Sequence, residues 1–129
     1  MPTDLDGLHQ VAMHSSDLER SRAFYEETLG LPFLAQYEPP GLLFFDLGPT
    51  RLLLKEGAGK GVLYLRVGDI EDACIVLKER GVAFTSDPHL IFKDDAGTFG
   101  PAGEEEWMAF FEDPDGNTLA LATRKLPSK

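Results

Sequence analysis

A single cysteine, Cys74, leaves no partner for an internal disulfide, which fits a reducing compartment. It falls within a helical apolar stripe and reads as a core residue; a reactive thiol would need a cationic neighbour to lower its pKa. Positive charge is also scarce, with 12 Lys and Arg against 22 Asp and Glu and a formal net charge of −10. Phosphate backbones and anionic lipids attract basic surfaces, so nucleic acid and membrane partners are not expected. No apolar run approaches the ~20 residues needed to cross a bilayer. Met1-Pro2-Thr3-Asp4 is acidic, with no apolar signal segment. A cytoplasmic location is therefore expected. Nucleophile motifs of the Ser/His/Asp type, phosphate loops and paired catalytic carboxylates are all missing.

What is present is a repeat. From Gln10 to Phe33 the chain reads strand, Asp-Leu, helix, Gly-Leu-Pro-Phe; from Val62 to Phe84 it reads strand, Asp-Ile, helix, Gly-Val-Ala-Phe. The parallel continues where Phe44-Phe45-Asp46 before Arg51-Leu52-Leu53-Leu54 matches Phe110-Phe111-Glu112 before Thr118-Leu119-Ala120-Leu121. Such self-similarity predicts two equivalent modules, about 7–57 and 61–123, in one domain spanning 1–129. The 43% hydrophobic content is ordinary for a globular chain, and this length suffices for one sizeable core.

Local signals place the elements. Ser16 and Glu19 read as a capping box for the first helix, ended by Gly30 and Pro32. Asp69 caps the second helix, which Gly81 closes. Ile70, Ala73, Cys74 and Leu77 recur at helical spacing and should face a sheet, as should Leu18, Phe24, Tyr25 and Leu29. The strands alternate: Val11 and Met13 against Gln10, Ala12 and His14; Leu63, Leu65 and Val67 against Tyr64 and Arg66. Leu52 and Leu54 oppose Arg51, Leu53 and Lys55, and Leu119 and Leu121 oppose Thr118, Ala120 and Ala122. A period of two buries one face under the helices and leaves a mixed face suited to a solvent- or ligand-filled hollow. Asp113-Pro114-Asp115-Gly116-Asn117 has hairpin chemistry. Gly57 to Gly61 reads as a flexible joint, and residues 86–106 read as a long surface loop or lid.

Ser16-Asp17-Leu18-Glu19-Arg20-Ser21 with Phe24-Tyr25 and Leu29-Gly30-Leu31, joined by Phe110 to Asn117, resembles the vicinal oxygen chelate superfamily of glyoxalases, bleomycin-resistance proteins and extradiol dioxygenases. The resemblance spans roughly residues 7 to 123. It implies an α+β fold in which two βαβββ modules form a cupped eight-stranded mixed sheet with helices outside, and commonly a homodimer. Metal-binding members hold the ion on four cup-facing side chains, two on the first strands and two on the last strands of the modules. Those positions fall on Gln10, Val62, Leu53 and Ala120. Val, Leu and Ala offer no lone pair, so no metal is expected. A one-residue slip would restore His9 as one ligand but would turn Val11 and Met13 into the cup.

The remaining candidates are few. His14 and His89 could act as a general base or ligand partner; each histidine also reads simply as solvated. Glu104-Glu105-Glu106 is a charge run. Trp107 lies in a strand either of whose faces could be core, and could stack on an aromatic ligand. The expected ligand-binding set is Gln10, Ala12, Leu53, Val62, Tyr64, Arg66, Trp107 and Ala120. The expectation is a small-molecule binder of the resistance type, without cofactor. The alternative is a lyase, isomerase or oxygenase needing divalent Fe, Mn, Ni or Zn.

Overall fold

A computed structural model describes Thr3 and residues 5–127. In module 1, β1 (Gln10–His14) leads into α1 (Leu18–Arg22), which continues as a π-helical turn over Ala23–Thr28. Strands β2 (Phe33–Tyr37), β3 (Leu42–Asp46) and β4 (Arg51–Lys55) follow. Module 2 repeats the order with β5 (Val62–Arg66), α2 (Ile70–Glu79), β6 (Phe84–Asp94), β7 (Glu104–Glu112) and β8 (Thr118–Lys125). The eight strands hydrogen-bond as two four-stranded mixed sheets, ordered β1-β4-β3-β2 and β5-β8-β7-β6. In each, the first strand runs parallel to the last and the remaining pairs are antiparallel. The chain divides into two compact units between Gly61 and Val62.

Alternation decides what each sheet buries. In module 1 Met13, Leu43, Phe45, Leu52 and Leu54 are almost wholly buried together with Tyr25 of the π-helical turn. The Tyr25 and Phe45 rings lie 5.8 Å apart. Met13 pairs with Leu54 in register, so the one-residue slip that would bring His9 to the metal position does not occur. In module 2 Ala109, Phe111, Leu119 and Leu121 are buried, as are Ile70, Cys74 and Leu77 of α2. Burial raises the Cys74 thiol pKa, which keeps it an inert core residue.

Two local expectations are corrected. The first helix is capped by Asp17, not Ser16: Asp17 is extended, and its carboxylate accepts from the Arg20 backbone N–H at 3.1 Å. Ser16 Oγ instead accepts from the Arg20 guanidinium, while buried Ser15 and Ser21 hydroxyls meet at 2.6 Å. Residues 86–106 are not one loop. β6 extends to Asp94 and β7 starts at Glu104, leaving 95–103 irregular. Within the Gly57–Gly61 stretch, the His14 N–H donates to the Gly59 carbonyl at 3.1 Å. A Cβ on Gly61 would stand 2.9 Å from Met13 Cγ.

The β7–β8 hairpin is closed from within. Asp113 Oδ1 accepts the N–H groups of Asp115 and Asn117, each at 2.9 Å, and Asn117 Nδ2 donates to Asp113 Oδ2 at 2.7 Å. Both side chains are buried. Asn117→Ala strands a buried carboxylate oxygen and is expected to lower unfolding stability by about 2 kcal/mol, measured by chemical denaturation. A loss below a few tenths would show the pair to be dispensable.

Candidate functional site

The face of the second sheet opposite α2 carries a hollow of about 670 Å³. Its floor is the small-residue strand β8, with larger side chains on both sides. Register places Ala120 between Tyr64 and Phe110, and Ala122 between Arg66 and Met108. The Tyr64 and Phe110 rings meet edge to face at 6.3 Å and bury Ala120 completely. Ala122, by contrast, lines the open hollow with Tyr64, Arg66, Met108 and Phe99. Tyr64 is 59% exposed and Phe99 71%, so both rings offer faces to a guest.

One end of the hollow is a charged clasp. The Arg124 guanidinium reaches Asp94 at 2.9 Å, Glu104 at 3.1 Å and Glu106 at 3.7 Å. Asp94, nearly buried, also accepts the backbone N–H groups of Thr98 and Phe99 at 2.8 and 2.9 Å. The Phe99 N–H, then those of Thr98 and the Arg124 guanidinium, hold its carboxyl below the ordinary range against an opposing desolvation. These bonds fix the 95–103 segment, whose Gly100 approaches Arg124 so closely that a Cβ there would stand 3.0 Å from Nε. The segment thereby presents Phe99 to the hollow, its ring 5.7 Å from Phe92.

The four positions on which the family resemblance would put a metal have a different chemistry. In module 1 the Gln10 amide oxygen accepts from Arg51 Nε at 2.7 Å, and the same guanidinium lies 3.3 Å from His9 Nε2 and 5.5 Å from the Phe44 ring centroid. Leu53, flanked by Ala12 and Phe44 in register, is buried. In module 2 Val62 is half exposed and Ala120 wholly buried. Three of these side chains have no donor atom, and the fourth is engaged by a cation. They do not fit a divalent ion. Among the described residues no three His, Cys, Asp or Glu side chains group as a metal site.

The other candidates are scattered. His14 ends β1 in the first unit. His89 lies within β6 rather than in a loop, its Nδ1 2.9 Å from the Asp87 carbonyl and its ring 6.1 Å from Phe110. Trp107 does not join the hollow's wall. Its indole N–H donates to Glu105 at 3.0 Å and Lys125 stands over its ring at 4.5 Å. Lys125 in turn pairs with Glu71 of α2 at 2.8 Å, which puts Trp107 on the helix side. Of the expected ligand set, Tyr64 and Arg66 line this hollow and Ala120 lies beneath Tyr64; Gln10, Ala12 and Leu53 belong to the first sheet. Ala122, Met108, Phe99 and Arg124 were not among the expected site residues. Carrying the β8 alternation onward from Ala120 and Ala122 reaches Arg124, but no local pattern announces its partner thirty residues earlier.

The two βαβββ sheets and their helices define a vicinal oxygen chelate fold. The chain belongs to the Glyoxalase/Bleomycin resistance protein/Dioxygenase superfamily, whose model matches residues 7–121. Among individual proteins, it is 25% identical over 135 residues to the uncharacterized protein YraH of Bacillus subtilis, covering 88% of this chain and 95% of that one. TnmS3, an antibiotic binding protein from a Streptomyces species, superposes with a TM-score of 0.70 at 27% identity, covering 96% of this chain and 100% of that chain. A lactoylglutathione lyase from Agrobacterium tumefaciens gives a TM-score of 0.71 at 18% identity, covering 94% and 96%. No helix among the described residues is long and apolar enough to cross a membrane.

The Asp94 clasp carries a pH signature. Its carboxyl lies below the ordinary 3.8, so its stabilising contribution is complete above that pH and is lost as pH falls through the folded-state value. Asp94→Asn is expected to melt earlier at neutral pH and to lose less further stability on acidification than the parent, followed by thermal melts from pH 7 to 2. Parallel acid limbs for the two proteins would contradict this role.

Proposed function

We propose that this chain binds a small organic molecule in the hollow of its second module without a metal ion, as a resistance-type binder rather than a lyase, isomerase or oxygenase. The observation that carries the reading is an aromatic-walled hollow with an alanine floor, in a chain whose metal-aligned positions are Gln10, Leu53, Val62 and Ala120. Pockets that hold organic ligands are mostly apolar with a few placed polar groups, and here those groups are Arg66, Glu106 and Arg124. The likeness to an antibiotic binding protein at 27% identity supports the same reading. The fold alone decides nothing, because it hosts both binders and enzymes. The chain is further proposed to act as a cytoplasmic homodimer.

Two measurements test this. Thermal shift in the presence of chelator, across a panel of aromatic compounds, should find ligands that raise the melting temperature; the shift should vanish in Ala122→Leu, which fills the floor. Adding Fe, Mn, Ni or Zn should leave the melting temperature unchanged, and a stoichiometric bound metal would reverse the assignment. Light scattering coupled to size exclusion should give twice the 14.2 kDa chain mass; a monomer mass would remove the dimer.

A further inference from the structure

The hollow has a shape and an electrical direction. Strand β8 contributes Ala122 as a low floor between Arg66 of β5 and Met108 of β7. With strands about 4.8 Å apart, those flanking walls stand about 10 Å from each other. The Tyr64–Phe110 pair closes the trough over Ala120, and Phe99 stands exposed on the fixed 95–103 segment beside the opening. A trough with a flat floor and ring faces on its walls accepts a planar body better than a bulky one.

Its charges sit at opposite corners. Arg66 on β5 is exposed and makes no ion pair among the described residues. Diagonally across, Asp94 at the end of β6 and Glu104 and Glu106 of β7 share the single Arg124 guanidinium of β8 at 2.9, 3.1 and 3.7 Å. Glu106 is the most loosely held of the three and lines the hollow, so it retains acceptor capacity. An anionic group is repelled from the Glu106 corner and drawn to the free fork of Arg66, which suits a carboxylate. A hydroxyl or amino group suits Glu106.

We propose that this hollow recognises a flat aromatic acid bearing a hydroxyl or amino group at its far end, with the carboxylate on Arg66 and the donor on Glu106. The inference rests on the small-molecule reading of the same hollow and fixes the ligand's class and orientation. Calorimetry on the full chain in chelator would use four probes: hydroxynaphthoate substituted at opposite ends of the bicycle, unsubstituted naphthoate, the methyl ester of hydroxynaphthoate, and naphthylmethylammonium.

Hydroxynaphthoate should bind tightest, naphthoate and the ester more weakly, and the ammonium weakest. Arg66→Gln, an exposed change that spares the core, should weaken the acid about tenfold or more while leaving the ester unchanged, because only the acid makes the charge-assisted pair. Glu106→Leu should erase the advantage of the hydroxyl. If ester or ammonium binds as tightly as the acid, or Arg66→Gln has no effect, while Ala122→Leu still abolishes binding, the assigned class is overturned and the small-molecule reading survives. If no probe binds, or Ala122→Leu leaves binding intact, both are overturned.

Discussion

Strands β4 and β8 are each hydrogen-bonded along both edges, and that double pairing is the constraint from which the rest follows. A strand held on two sides cannot slip by one residue without turning its whole apolar set to the wrong face. Leu52 and Leu54 in one sheet, and Leu119 and Leu121 in the other, are anchored in the cores. Their neighbours must therefore point the other way. Leu53, Ala120 and Ala122 face outward from the helices because the leucines cannot.

Much of this was legible in the sequence because it rests on short-range chemistry. The Asp-Leu and Asp-Ile helix starts, the alternating strands and the Asp113–Asn117 hairpin all declare themselves within a few residues. The extent of β6 did not. Asp87, Pro88 and His89 suggest a loop, and register shifts between Ser86 and His89 and between Leu90 and Phe92 break the alternation by which a strand is recognised. Ser16 and Asp17 both suit a helix N-cap; Asp17 takes the role because its extended backbone aims its carboxylate at the Arg20 N–H. Trp107 was ambiguous because β7 has large residues on both faces, and only its contacts with Glu105 and Lys125 fix its side. The Asp94–Arg124 pair joins residues thirty apart, beyond the reach of any local pattern.

The two halves use the sheet faces turned away from their helices differently. In the first sheet the polar groups satisfy one another: Gln10, His9 and Arg51 form a compact set beside Phe44. In the second, polarity is pushed to the ends, with Arg66 at one corner and the Arg124 clasp at another, while the middle stays low and apolar. The same backbone order occurs twice, and side-chain choice on the outward-facing positions gives each copy its own character.

The bond between Arg51 and Gln10 bears on how this lineage could change its chemistry. A carboxylate introduced at position 10 would sit beside a guanidinium already placed to receive it, and the two would form an ion pair before any dissolved cation could compete. A chelating centre at these positions would thus require removing a resident positive charge as well as supplying donors. At these four positions a single replacement would not assemble a donor set, since Leu53, Val62 and Ala120 would each have to change as well.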